Sequence, residues 1–164
     1  MFFEAKRSKW WLGLFAAATF VAARAGSRFT RPSARWYRTL SKPVGQPPDW
    51  VFGPVWATLY GLMSWSAYRV FSRRPSPERS RALRLWWMQL AQNASWTPLF
   101  FGARRGRLAL ADLAGTIASG GAYAREAYKV DPPAAWLMAP YLAWLGYAGY
   151  LNAALVQKNR RLLS

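Results

Sequence analysis

The chain has 164 residues, with 23 Lys and Arg against six Asp and Glu, a net charge of +17, eleven tryptophans, no Cys and no His. The missing Cys excludes disulfides and thiolate chemistry, the missing His removes the commonest base and metal ligand, and six scattered acids make no metal site. Mean hydropathy near zero in so basic a chain would also suit a soluble nucleic-acid binder, but such a protein interleaves Arg with apolar residues at helical spacing. Here Trp50–Tyr68, Leu85–Ala103 and Pro132–Gln157 carry no formal charge and are flanked by basic segments. Runs of about 19 residues, at about 1.5 Å per helical residue, match a hydrocarbon layer of about 30 Å. Basic ends, aromatic girdles and apolar middles point to a bilayer and away from nucleic acid. The expected fold class is all-α and integral to a membrane, a five-helix bundle forming a single domain over 1–164 with a long ordered loop between helices 1 and 2.

In chain order, the first helix is expected over 10–25. Lys6, Arg7 and Lys9 precede it as in a signal peptide, but no small-residue cleavage site leads into a soluble domain, and Trp10-Trp11 reads as an interfacial anchor. Arg24, near the far end, can extend its stem toward the headgroups. Residues 27–49 form the long loop, with Arg28, Arg31, Arg35, Arg38 and Lys42 followed by the proline-stiffened stretch Pro43–Pro48. The second helix covers 50–71, with Pro54 in its first turns, where a missing N–H costs little. An Arg/Ser/Pro linker leads to the third helix over 85–101. A Gly102–Gly106 turn precedes the fourth over 108–128, Asp131-Pro132-Pro133 breaks it, and the fifth covers 134–156.

Orientation cannot be read from charge. One side collects ten Lys and Arg, from the N-terminus, the second linker, Arg125 and Lys129; the other collects eleven, from the long loop, Arg104, Arg105, Arg107, Lys158, Arg160 and Arg161. Such two-sided charge suits anionic headgroups or an anionic ligand on either face.

Helix faces carry more. Ala111, Gly115 and Ser119 form a small-residue stripe that lets another helix approach. Gln89, Gln92, Asn93, Trp96 and Thr97 share one face of the third helix, and uncharged polar groups in hydrocarbon must point into the bundle. Pro98 frees the Ala94 carbonyl, which Asn93 or Thr97 could satisfy. Pro140, Trp144, Ala148 and Asn152 align on the fifth helix, as Trp56, Tyr60 and Ser64 do on the second. Two indoles opposite an amide-bearing face suit a planar aromatic ligand; by spacing alone the same indoles also suit core filling.

The segments Trp36-Tyr37-x-x-Leu40-x-Lys42-Pro43, Pro47-Pro48-x-Trp50-Val51-Phe52-Gly53-Pro54-Val55-Trp56-x-x-Leu59-Tyr60, Gln89-Leu90-Ala91-x-Asn93-x-x-Trp96-x-Pro98-Leu99-Phe100-Phe101-Gly102 and Pro140-Tyr141-Leu142-x-Trp144, with Leu151-Asn152, resemble the signature of the TspO/MBR family of tryptophan-rich sensory and translocator proteins. The resemblance covers about 10–158. It implies five transmembrane helices, commonly a homodimer, and a pocket for porphyrins such as protoporphyrin IX and haem, taken as ligands with no cofactor required. Trp56, Tyr60, Asn93, Thr97, Trp144 and Ala148 would line that pocket, and the first loop, with Trp36, Tyr37, Pro47, Pro48 and Trp50, would close it. Trp56 and Trp144 match tryptophans implicated in light- and oxygen-dependent porphyrin breakdown in some members. The family is also described as binding sterols, isoquinolines and benzodiazepines, and as acting in stress and tetrapyrrole regulation.

Two departures stand out. Gly45 occupies a lid position that is often aromatic, and after Tyr150 the first basic residue is Lys158, too distant for a sterol-recognition pattern. The leading expectation is a membrane receptor for tetrapyrroles; the alternatives are a porphyrin-degrading enzyme and a porphyrin or sterol transporter. Conventional acid–base catalysis has few players here, leaving indole photo-oxidation as the redox chemistry, and paired intramembrane ionisable groups of the transporter kind are missing. Ala/Arg/Gly-rich usage favours a bacterial envelope membrane over the mitochondrial outer membrane. The lid arginines are expected to meet the propionates of a dianionic porphyrin.

Overall fold

A computed structural model describes the backbone over 2–163 and the side chains over 10–30 and 32–163; the side chains of Lys6, Arg7, Lys9 and Arg31, counted above, lie outside the described residues. The described chain is helical: α1 (Phe2–Thr39), α2 (Asp49–Phe71), α3 (Pro77–Thr97) running into a π-helical turn (Pro98–Gly102), α4 (Gly106–Val130), the short α5 (Pro132–Trp136) and α6 (Ala139–Lys158).

The largest departure from expectation is in the first connection. Residues 27–39 continue α1, and the long loop shrinks to a strap over 40–48. Pro32 deletes one helical hydrogen bond, but contacts from outside the helix hold the turns that follow. Ser33 Oγ donates to the Phe101 carbonyl at 2.9 Å, and the rings of Trp36 and Tyr37 sit 6.1 and 6.3 Å from Phe100. Close approach is secured by glycines: a Cβ at Gly26 would lie 3.2 Å from Thr97 Oγ1, and one at Gly102 would lie 3.0 Å from Phe29. Arg28, Arg35 and Arg38 then fall on the exposed side of α1.

The other ends follow local chemistry. Ser76 caps α3 by accepting from Arg79 N at 3.1 Å, with Pro77 at the first helical position. The Arg79 guanidinium reaches back to the Phe71 carbonyl at 2.7 and 3.0 Å, closing the end of α2. The π turn absorbs Pro98, with Ala103 N bonded to the Pro98 carbonyl at 2.8 Å. Asn93 does not serve the Ala94 carbonyl: its amide nitrogen donates to Tyr141. The last expected helix is divided at Leu137 and Met138 into α5 and α6.

Two apolar clusters hold the bundle. The larger gathers Phe15, Met63, Trp86, Tyr123, Tyr141 and Leu145, and several polar groups within it are matched: Trp86 Nε1 donates to the Met63 carbonyl at 3.1 Å, and Ser66 bonds Tyr123 and the Ala134 carbonyl at 2.7 Å each. The smaller, around Leu40, Phe100, Ala109, Leu155 and Leu163, lies at the strap end. The small-residue stripe of α4 meets α3, where Ser119 donates to Gln92 Oε1 at 2.6 Å and a Cβ at Gly115 would lie 2.9 Å from Gln92. Ala111, at the end of that stripe, is exposed.

Among the described residues no helix is long and apolar enough, judged on mean hydropathy, to cross a membrane. The lengths of α2, α3, α4 and α6 are 23, 21, 25 and 20 residues. Composition holds the mean down: α3 opens on Glu78, Arg79, Arg81 and Arg84, and α2 carries Trp56, Tyr60, Trp65, Tyr68 and Arg69.

Away from the strap, Asp131 locks the α4–α5 junction to α2. It is 3% exposed and takes Arg69 Nε at 2.6 Å and Arg73 at 2.5 Å. Burial opposes its ionisation, but the hydrogen bonds and charges of the two arginines outweigh that and hold the carboxyl below the usual carboxylate range. A carboxyl lowered on folding stabilises above its unfolded value, and this contribution is lost as pH falls through the folded one. Thermal unfolding should therefore show an acid limb below about pH 4. Asp131→Asn should cost about 2 kcal/mol at neutral pH and remove that limb; an unchanged melting profile would contradict the lock.

Candidate functional site

A cavity of about 1120 Å³ lies between α1, α2, α3, α4 and α6. Its aromatic wall is built by helical spacing. Trp56 and Tyr60 lie one turn apart on α2 with ring centroids 5.2 Å apart, Trp56 approaches Tyr141 of α6 at 6.4 Å, and Trp144 meets Phe52 edge-on at 5.8 Å. Of the residues expected to bind ligand, Trp56, Tyr60, Asn93, Thr97, Trp144 and Ala148 all line this one cavity.

Below the wall, polar groups tie three helices together. Tyr60 donates to Asn93 Oδ1 at 2.8 Å, Asn93 Nδ2 donates to the Tyr141 hydroxyl at 3.2 Å, and that hydroxyl donates to Gln89 Oε1 at 2.8 Å. Thr19 and Ser64 bond across α1 and α2 at 3.0 Å, and Ser64 also reaches the Tyr60 carbonyl at 2.7 Å. The polar face of α3 is thus divided. Asn93, Trp96 and Thr97 serve the cavity, Gln89 is buried beneath it, and Gln92 turns to α4.

Over one end runs the strap, stitched to α6. Asn159 exchanges two hydrogen bonds with the Ser41 backbone at 2.9 and 3.1 Å; Tyr150 donates to the Val44 carbonyl at 3.1 Å, and Tyr147 donates to that of Gly45. Gly45 stands at φ 85°, where a side chain is strained. The Tyr147 hydroxyl from α6 lies 3.9 Å from where a Cβ would be, so a ring still faces this turn of the strap. The Lys42 ammonium lies 3.0 Å above the Tyr37 ring and bonds the Tyr37 carbonyl. Burial pushes its pKa down to about 8, against the opposing charge of Asp49, so this cation–π contact weakens above that pH.

Of the expected lid residues, Tyr37 lines the cavity. Trp36 packs on Phe100 under the Arg104 guanidinium at 5.1 Å. Pro47 and Pro48 belong to the strap's ascent into α2 without lining the cavity, and Trp50 is 75% exposed. Pro140 is exposed and off the wall. No Lys or Arg among the described residues lines the cavity, whereas Asp49 does. Arg28, Arg35 and Arg38, expected in a lid loop at the pocket mouth, instead lie on the exposed side of α1, and none of the three lines the cavity. Sequence reasoning also missed the α1 wall of Thr19, Gly26 and Thr30, along with Gln46 and Phe52 as lining residues, whereas Asn152, aligned with Trp144 and Ala148 by spacing, does line the cavity. The spacing Arg28, Arg31, Arg35, Arg38, by three, four and three residues, was a helical signal that would have revealed the extension of α1.

Fold and site together define an α-helical binding bundle, with an aromatic wall, few polar points and a strap over one end. Residues 14–157 match the TspO/MBR family. The chain is 43% identical over 138 residues to the translocator protein of Bos taurus, covering 82% of each chain. It is 41% identical over 150 residues to the translocator protein of Homo sapiens, covering 88% of each. To the tryptophan-rich protein TspO of Chlorobaculum tepidum it is 36% identical over 154 residues, covering 90% of this chain and 92% of that one. This chain belongs to the TspO/MBR family.

Gly45→Ala should force a side chain into the left-handed region at a cost of about 1 kcal/mol and loosen the strap. Hydrogen exchange over 40–48 should rise while exchange in α3 and α4 stays unchanged; equal exchange in both proteins would show that the turn relaxes without cost.

Proposed function

We propose that this protein is a membrane receptor that binds planar, largely apolar ligands of the tetrapyrrole kind, such as protoporphyrin IX or haem, in the cavity between its helices. The observation that carries the reading is the convergence of Trp56 and Tyr60 from α2, Asn93 and Thr97 from α3, and Trp144 and Ala148 from α6 on one wall. Large ligand sites are mostly apolar with a few fixed polar groups, and flat indoles give a macrocycle broad contact at little entropic cost. Propionates of such a ligand lie outward, toward solvent and the basic exterior, since the cavity supplies no cation among its described residues.

In this reading α1, α2, α3 with its π turn, α4, and α5 with α6 form five spans. Support comes from the uncharged runs and from large apolar side chains left on the outside: Trp10, Val21, Trp87, Met88 and Trp136 are exposed. Basic residues at both ends suit anionic headgroups. A homodimer would cover part of the exterior, and the composition favours a bacterial envelope membrane.

Alkaline carbonate should leave the protein in the membrane fraction; release as a folded soluble monomer would end the membrane reading. Protoporphyrin IX in darkness should quench tryptophan fluorescence, and a Trp56→Ala, Trp144→Ala double variant should lose roughly 1 to 3 kcal/mol of binding. Unchanged affinity would remove these indoles from the site. Under light, bleaching of the porphyrin in the parent but not in a Trp56→Phe, Trp144→Phe variant would add turnover to binding.

A further inference from the structure

The helices that form the cavity do not close it all round. Phe20 of α1 is 64% exposed and Trp65 of α2 is 43% exposed, yet both line it. Gly53, Ala57 and Gly61 of α2 combine the same two properties, and with Trp65 they recur every four residues on one face of that helix. A Cβ added at Gly53 or Gly61 would meet nothing within 4 Å. Residues that face both the cavity and the exterior mark an opening, and these place it between α1 and α2.

The packing of α1 accounts for the gap. Toward the far end from the strap the two helices meet: the rings of Trp11 and Phe71 lie 4.3 Å apart, and Thr19 bonds Ser64 at 3.0 Å. Beyond Thr19, α1 turns its contacts to α3 and the π turn, through Gly26 against Thr97, Phe29 against Gly102 and Ser33 on the Phe101 carbonyl. Over the same length α2 leans on α6, with Phe52 on Trp144 and Trp56 near Tyr141. Among the described residues no hydrogen bond or ring contact joins α1 to α2 between the Thr19–Ser64 bond and the strap. The helices therefore splay. Thr19 and Ser64 form the sill of the gap, and Ala23 and Ser27 face Gly53 and Ala57 along its uncharged sides.

We propose that this gap is a lateral portal, through which planar apolar ligands dissolved in the strap-side leaflet pass into the cavity without opening the strap. Ala57 stands eight residues past Asp49, the start of α2, about 12 Å along the helix axis, which is hydrocarbon depth in the membrane setting proposed above. A ligand that partitions into lipid is concentrated beside the gap, and an uncharged rim demands no desolvation of ions as it passes. The path over the strap would instead break the bonds that hold Ser41, Val44 and Gly45 to α6 and the turn after it. This route rests on the membrane setting and on a cavity for planar apolar ligands, and does not require that the ligand be a tetrapyrrole.

The test uses the full chain in phospholipid vesicles and two bilayer-partitioned probes, protoporphyrin IX in darkness and uncharged pyrene, each followed by stopped-flow quenching of tryptophan fluorescence. Because the chain has no Cys, a Ser27→Cys, Ala57→Cys pair can be bridged across the gap, and a Val44→Cys, Tyr150→Cys pair across the strap, with a bismaleimide that reduction cleaves. The gap bridge should slow association and dissociation alike by about tenfold, and reduction should restore both in the same sample, while the strap bridge leaves both within about twofold. Gly61→Trp, whose added side chain starts in open space, gives the same reading without a bridge and covers the case in which the cysteine pair does not fold or react. Association that is unchanged by filling the gap, or slowed as much by the strap bridge, overturns the portal, as does a change confined to dissociation. Porphyrin binding at rates indifferent to the gap sinks the portal alone. Pyrene binding slowed at the gap, with no porphyrin binding, sinks the tetrapyrrole reading alone, and binding of neither probe sinks both.

Discussion

A single phenol holds the centre of this protein together. The Tyr141 hydroxyl accepts from Asn93 and donates to Gln89, and Asn93 in turn accepts from Tyr60. Three helices are thereby fixed by groups that have no water to turn to. In a low-dielectric interior each such bond is stronger than in water, and each broken one leaves an unsatisfied neighbour. The rotation of α3 about its axis follows from this constraint, because the Asn93 amide and the Gln89 carbonyl oxygen find these partners only if that face points inward.

With α3 fixed, the cavity and its surroundings fall into place. Asn93 and Thr97 reach the wall, while Gln92, one residue back and on the adjoining face, is delivered to Ser119 of α4. The α3–α4 pair then acts as a stiff back for the bundle, and α1 closes against it where Gly26 and Gly102 let the chains come close. Aromatic groups do the remaining work at the strap end, where Phe100 is shared by Trp36, Tyr37 and Trp96. Because α6 holds the strap through Asn159, Tyr147 and Tyr150, one helix supplies both part of the cavity wall and the anchorage of its cover.

Charge is arranged by the same economy. The described arginines sit on the outside or near helix ends, where Arg79 closes α2 and Arg69 with Arg73 meets Asp131. The cavity is left without a cation among its described residues, and its lining is mostly apolar and aromatic with a few polar groups.

The sequence alone determined the helical class, the turn at 102–106, the break at Asp131 and the polar face of α3, because these depend on periodicity, proline and glycine within a few residues of each other. It also carried the segments by which the family is recognised. The course of 27–39 was decided by tertiary structure: the run of basic residues read as loop, whereas Ser33, Trp36 and Tyr37 find partners on the π turn some 65 residues away in sequence that offset the hydrogen bond lost at Pro32. The same holds for Gln46, Thr19 and Thr30, which line the cavity and carry no local mark of a site. A cavity wall assembled from distant segments has no period for a sequence to display.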